Sequence, residues 1–280
     1  MNAKFKNTIE MIAIYLVFGF MFIIILYPLI WALGMSLNEG TSLYSSSIIP
    51  ENWSFTHYKW LFTDPNSNYV NWYKNSMIVS GFNAILSVII TPLIAYAFSR
   101  YQFVGRKNGL YTFLILQMFP SMMAMVALYI LLNLVGLLDS LTGLILIYVG
   151  GQIPFNSWLV KGYLDTIPRE LDESAQIDGA GNLTIFFKII LPLAKPILSV
   201  VALFNFMTPL FDFLLPSIVL QSQRKYTIAL GLYQFINNQF SNNFPQFSAG
   251  AMLIAIPVAI IYLVLQKHLI TGLTSGGTKG

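Results

Sequence analysis

The stretch YLDTIPRELDESAQIDGAGNLTIFFKIILPLAKP, Tyr163 to Pro196, stands apart from the sequence on either side of it. Eleven of its residues are charged or proline, in a chain that is 56% apolar and 9% charged. Pro168 can open a short helix, because proline at the first helical position gives up no bond that the helix would have made. Arg169 to Ile177 continue it, with Leu171, Ser174 and Ala175 at helical spacing along one face. Asp178-Gly179 then stops it, since glycine accepts the left-handed backbone that a helix C-terminus often requires. Asn182 is the expected N-cap of a second helix. There Leu183, Phe186, Phe187 and Ile190 recur at i, i+3, i+4 and i+7. Pro192 and Pro196 end that helix. The segment reads as a compact helix–turn–helix, acidic at one end and aromatic along one face.

Outward from it the chain is apolar. A soluble domain carries about 25% charged residues, and the mean hydropathy here is +0.68. Crossing a hydrocarbon layer takes about 20 apolar residues. Six stretches qualify, at 11–36, 75–99, 109–135, 141–163, 196–220 and 247–267. The first follows Lys4 and Lys6 and could pass for a signal peptide. No charge falls between Glu10 and Glu39, however, which is far longer than a ~7–15 residue signal core. It reads as a membrane helix that stays. The chain has no cysteine, which excludes a disulfide framework and a thiolate metal site.

The basic residues orient the bundle. With the N-terminus inside, eleven of the fifteen lie on the cytoplasmic side, and only Lys59, Lys74, Arg224 and Lys225 lie outside. Cytoplasmic loops carry such an excess, so both termini are expected in the cytoplasm. The formal charge of +4 and the pI near 9.1 are explained by this bias and not by a nucleic-acid partner. The expectation is an all-α, multi-pass protein of a prokaryotic inner membrane, with one transmembrane domain over 1–280, a cytoplasmic loop at 164–195 and a cytoplasmic tail at 268–280. Every span carries proline: Pro28, Pro92, Pro120, Pro154, Pro209 with Pro216, and Pro257. Freed carbonyls need partners in neighbouring helices or a wet cavity, which favours a bundle bent around a pathway.

The spacing Glu173-Ser174-Ala175, two residues, Asp178-Gly179-Ala180, five residues, Phe186, then Pro192 resembles the EAA motif of ABC importer permeases. Ser174 at the second position of the triplet is the only departure in the motif core. The C-terminus from Leu269 to Gly280, with Leu273, Gly276, Gly277 and Lys279, is similar to that of carbohydrate importer permeases, above all the shorter membrane subunit of maltose and maltodextrin importers. Leu230 to Gly250 resembles that subunit's external loop.

The resemblance implies a type I ABC importer permease bundle of six transmembrane helices. It implies a carbohydrate cargo, a malto-oligosaccharide or a related oligosaccharide, with a different glycan or solute as the alternative. Its partners would be a second homologous permease, two ATPase subunits, an extracytoplasmic sugar-binding protein and membrane lipid. Residues 173–175, 178–180, Phe186 and Pro192 would couple to the ATPase, with Phe186 and Phe187 filling a hydrophobic pocket on it. Leu273, Gly276, Gly277 and Lys279 would dock a tail between the ATPase subunits. Asn237, Asn238, Asn242 and Asn243 would meet the binding protein.

Other chemistries find little support. A Walker A loop needs lysine at a fixed place after a strand; Gly272 to Thr278 offers threonine there, so ATP and magnesium are expected on a partner and no cofactor on this chain. Zinc chemistry wants clustered ligands, and the two histidines, His57 and His268, fall on opposite sides of the membrane. Ion-coupled transport wants ionisable groups inside the membrane, and the only carboxylate in a span is Asp212, near Pro209 and Pro216. Gating or loop packing, contact with sugar, helix bending and proton coupling are all open to it. The Trp and Tyr residues of the first external loop fit an interfacial belt better than a sugar platform.

Overall fold

The computed structural model describes residues 3–40, 50, 52–237 and 242–275. All regular elements among them are helical, apart from one isolated antiparallel bridge between Asn38 and Trp53. The chain divides into two compact units, Met1–Tyr69 with Leu232–Ala255, and Val70–Gly231 with Ile256–Gly280.

In the first unit, α1 (Ala3–Ser36) exposes apolar side chains from Met11 to Leu33, and α2 (Thr56–Thr63) follows. The junction is held by polar contacts. His57 Nε2 lies 3.1 Å from the Asn38 carbonyl, and the Ser36 and Tyr58 hydroxyls are 2.8 Å apart. Tyr69 is fully buried and donates its hydroxyl to the Gly250 carbonyl at 2.9 Å. Asn243 Oδ1 accepts the Gln246 amide and so caps the last helix, numbered α13 below.

The second unit carries α3 (Tyr69–Arg100), α4 (Arg106–Gln117), α5 (Ser121–Leu134) and α6 (Leu141–Leu164). The helix–turn–helix follows as α7 (Glu170–Ile177), α8 (Asn182–Ile185), a π-helical turn at Phe186–Ile190 and α9 (Leu191–Leu193). After it come α10 (Lys195–Phe211), α11 (Leu214–Val219), α12 (Ile228–Tyr233) and α13 (Phe244–Ser275), of which Leu232 to Ala255 belongs to the first unit.

Among the described residues, four helical segments are long and apolar enough to cross a membrane: Glu10–Ser36, Tyr69–Arg100, Leu141–Leu164 and Phe244–Lys267. They coincide with four of the six expected stretches. The other two are broken, each by proline. Residues 109–135 form α4 and α5 with Met118 to Pro120 between them. Pro120 cannot donate to the carbonyl of Leu116, and its ring crowds that carbonyl. Residues 196–220 form α10 and α11, because Pro216 likewise cannot donate to Asp212, whose backbone turns extended at ψ 125°. Residues 182–193 meet α10 at a 74° bend.

Two buried clusters hold the unit together. At the Arg100 end, Ala95 and Tyr96 of α3 meet Val160 and Leu164 of α6 and Leu198 and Val201 of α10, with Ala175, Ile185, Phe186 and Ile190 closing over them. At the other end, Val79, Leu132, Leu144, Tyr148, Leu215 and Val219 pack together.

Candidate functional site

The helix–turn–helix is a folded element with two unlike surfaces. Its turn is set by Gly179, whose φ of +84° lies in the left-handed region that glycine enters without strain. The Ala180 amide donates to the Ala175 carbonyl at 2.9 Å and the Gly179 amide to Gln176 at 3.0 Å. That bond pair closes a helix C-terminus and satisfies its last carbonyls. Asn182 does not cap the second helix as expected: Gly181 is the capping residue and Asn182 the first helical one. Pro192 does not end the second run either, since the helix continues to Leu193 and the bend falls at Ala194.

The expected apolar stripe is also re-phased. The five-residue π-turn places Ile185, Phe186 and Ile190 inward at 0, 3 and 1% exposure, while Leu183 and Phe187 stay 72 and 56% exposed. Phe186 packs on Tyr96 with ring centroids 5.0 Å apart. It belongs to the chain's own core and cannot fill a partner's pocket as the resemblance implied; Phe187 is the ring left outside. In α7 the inward residues are Asp172 and Ala175, and Leu171 faces out. Glu173, Ser174, Asp178, Gly179 and Pro192 are exposed and Ala180 is half-buried.

Charged groups weld the base of this element to α3. Arg100 Nε lies 2.7 Å from Asp172 Oδ2, with side chains 8 and 11% exposed, though no N–H points along the hydrogen-bonding axis. Arg100 also donates to the Ile167 carbonyl at 3.0 Å. Arg106 and Arg169 each donate to the Ser99 carbonyl at 2.9 Å, satisfying a helix end that would otherwise be orphaned. The Ser99 hydroxyl donates to Asp165 Oδ1 at 2.7 Å, and Lys161 pairs with Oδ2. Burial works against ionising Asp165, but the Lys161 ammonium and the Ser99 hydroxyl outweigh it and hold its carboxyl below the usual range. Beyond this base project three apolar side chains, Leu171, Ile177 and Leu183, at 43, 87 and 72% exposure.

The remaining candidates scatter. Asp212 is a cap: its Oδ1 accepts the Leu214 amide at 2.9 Å, and its Oδ2 accepts the Tyr148 hydroxyl at 2.8 Å. Pro209 and Pro216 are buried beside it in sequence. Asn237 is exposed and Asn242 half-buried, while Asn243 is engaged as a cap. Asn238, Gly276, Gly277 and Lys279 lie outside the described residues. The last helix runs on to Ser275, so Leu273 belongs to its backbone and not to an irregular tail.

Sequence reasoning missed two features. One is the ion pair of Arg100 and Asp172, 72 positions apart, for which no local signal exists. The other is Asp139, between α5 and α6. It stands at φ 53°, and its Oδ1 accepts the amides of Gln221 and Ser222 at 2.9 and 3.1 Å. Its Oδ2 accepts the Ser222 hydroxyl at 2.6 Å and Lys225 Nζ at 3.0 Å. Burial opposes ionisation, but these donors outweigh it and hold the carboxyl well below the usual range. An aspartate three residues past Gly136 was the available signal.

Among the described residues, membrane-length apolar helices with a polar helix–turn–helix fastened to α3 mark a multi-pass helical membrane protein. Comparison with known proteins gives the particular family. Residues 88–275 match the family described as binding-protein-dependent transport system inner membrane component. The chain is 49% identical over 280 residues to the galactooligosaccharides transport system permease protein GanQ of Bacillus subtilis (strain 168), covering all of this chain and 99% of that one. It is 44% identical to the maltodextrin permease MdxG of the same organism, covering both fully, and 36% identical to the maltose/maltodextrin permease MalG of Escherichia coli K12, covering 91% of each. In fold it is similar to a chain of a bacterial ABC transporter that imports alginate, with a TM-score of 0.78 and 24% identity over 94% of this chain and 97% of that one. This chain belongs to the family of inner-membrane permease components of ABC importers. It is a multi-pass, non-catalytic subunit; ATP is hydrolysed by a separate subunit.

Proposed function

We propose that this chain is the permease subunit of an ATP-driven oligosaccharide importer, crossing the membrane six times with both termini in the cytoplasm. The two broken segments, α4–α5 and α10–α11, each make one crossing. The observation that carries the reading is the two-sided helix–turn–helix: a base of buried charge and apolar packing welded to α3, and a tip of exposed Leu171, Ile177 and Leu183. A buried base transmits force as a rigid body, and an exposed apolar tip needs a partner to cover it. The partner is a pair of ATPase subunits, whose closure on ATP would turn the tip and with it α3, α6 and α10. ATP and magnesium stay with them.

A second homologous permease completes the pathway, and an extracytoplasmic binding protein delivers sugar near Asn237 and Asn242. Leu273 and the residues after Ser275 reach the ATPase interface. The full-length relatives named for galactooligosaccharide and maltodextrin transport support an oligosaccharide cargo; another glycan is the alternative, and ion-coupled transport is disfavoured because Asp212 is consumed as a cap. The cysteine-free chain supplies the test. Asn242→Cys should react with an impermeant maleimide in sealed cells, and Asn182→Cys only after lysis. Proteoliposomes holding the complete importer should take up galactotetraose or maltotetraose with ATP inside, and uptake without the ATPase subunit would refute the mechanism.

A further inference from the structure

A cavity of about 630 Å³ opens between α4, α6 and α10, and its wall carries groups that hydrocarbon cannot solvate. Gln117 enters from α4, Gln152 and Asn156 from successive turns of α6, and Asn205 and Thr208 from α10. Amides inside apolar helices face a protein interior or a wet cavity, since lipid offers them no partner. Behind the wall these amides are tied in place. Asn205 Oδ1 accepts from Asn156 Nδ2 at 3.0 Å and from the Ser87 hydroxyl at 3.1 Å. Asn83 Nδ2 donates to the Asn205 carbonyl at 2.6 Å and to Gln152 Oε1 at 3.1 Å. Gln117 Nε2 donates to the Gly151 carbonyl.

These bonds fix the rotamers and use one half of the Gln117, Gln152 and Asn156 amides, while Asn205 uses both, its Nδ2 donating to the Val201 carbonyl at 2.7 Å. The other halves have no hydrogen-bond partner among the described residues: Gln152 Nε2 as donor, Asn156 Oδ1 and Gln117 Oε1 as acceptors. Phe155 and Phe204, 50 and 62% exposed, present rings at the same cavity. No charged side chain lines it. We propose that this cavity is a subsite on this subunit for a neutral glycan in transit. A sugar hydroxyl both donates and accepts, matching a mixed set of half-used amides, while flanking rings cover the apolar faces of a pyranose. A carboxylated or phosphorylated sugar would find no counter-charge there. The size lies within the range of about 300–1,000 Å³ for small-molecule sites.

The inference rests on the oligosaccharide reading, and the test separates the two. Proteoliposomes containing the complete importer are supplied with binding protein and either the tetraose or the disaccharide of one glycan series, maltose-type or galactose-type. Sugar imported per ATP hydrolysed is measured for each length. In Phe204→Ala, whose ring is mostly exposed and supports no core, and in Gln152→Ala, the tetraose-to-disaccharide ratio should shift about tenfold. Phe204→Tyr, which keeps the ring, and Leu146→Ala, elsewhere on α6, should keep the wild-type ratio. A general coupling defect lowers both lengths alike, so an unshifted ratio in both cavity variants overturns the subsite and assigns the cavity to a lipid tail or the partner permease. A wild-type importer that moves neither glycan series overturns the oligosaccharide reading and the subsite with it.

Discussion

Two carboxylates fasten opposite ends of the same helical unit by different means. Asp172 meets one full charge, Arg100, in a site where both side chains are about nine-tenths buried, and its Oδ1 has no hydrogen-bond partner. Asp139 receives four separate donors in a turn where its own side chain is 20% and that of Lys225 50% exposed. The first joins helix to helix through charge held away from water. The second joins turn to turn through hydrogen bonds at the edge of solvent. A buried charge is costly to leave alone, so the Asp172 end should fail abruptly, whereas the Asp139 end should weaken bond by bond.

The largest effect is expected at Asp172→Ala. Arg100 would be stranded, at a cost of about 3 kcal/mol or more, read as a fall in the thermal midpoint of the detergent-solubilised protein. The pair Arg100→Met with Asp172→Leu should recover most of it, and a double variant as unstable as the single would refute buried charge as the cause. Gly231→Ala tests packing near the other end. An added Cβ would collide with the Trp72 indole, which is 3% exposed and donates Nε1 to the Gln223 carbonyl at 2.8 Å. Overpacking of this kind costs about 2 kcal/mol, and an unchanged midpoint would show that the ring can move aside.

Asp139→Asn should cost less, about 1.5 kcal/mol for bonds to a charged acceptor, because asparagine tolerates the left-handed backbone. Its carboxyl titrates lower folded than unfolded. The stabilisation is therefore present above the ordinary carboxylate pKa of about 3.9 and is lost as pH falls below it toward the folded value. The gap between wild type and variant should narrow as pH falls below about 3.9, and a gap that stays constant or widens between pH 5 and pH 2 would contradict that sign. Smallest of all in stability are Ile177→Ser and Leu183→Ser, each within about 0.5 kcal/mol because the side chains are already exposed. Their effect should appear in co-purification of the ATPase subunit, which an interface at this tip requires.

What the sequence revealed follows from range. Gly179 is legible because a left-handed turn is a property of two or three adjacent residues, and the four uninterrupted spans because hydropathy is summed locally. The breaks at Pro120 and Pro216 are half legible: proline announces a lost bond, but whether a helix bends or stops depends on what receives the freed carbonyl. Asp212 reads from the sequence as a carboxylate within a span because that span looks continuous; the break makes it a cap. Arg100 with Asp172, and Asn83 with Asn205, are pairs made by packing, and nothing near either member announces the other. A faint sign of the amide cavity was present in Gln152 and Asn156, four positions apart in a predominantly apolar helix.

The π-turn at Phe186–Ile190 carries one consequence of its own. A π-turn holds a residue more than the α-helical turn it replaces, so it works as a spacer whose content is a number. Taking one residue out of 186–190 would let the turn relax to α-helix while the segments on either side kept their phase, because the π-turn and the shorter α-turn sweep a similar angle about the axis. A residue added or removed beside the turn, with nothing to absorb it, would instead rotate everything before it by about 100° and carry Ile185 outward. The angle at which the tip meets its partner thus depends on chain length outside the turn, and a one-residue change should do more harm there than inside 186–190.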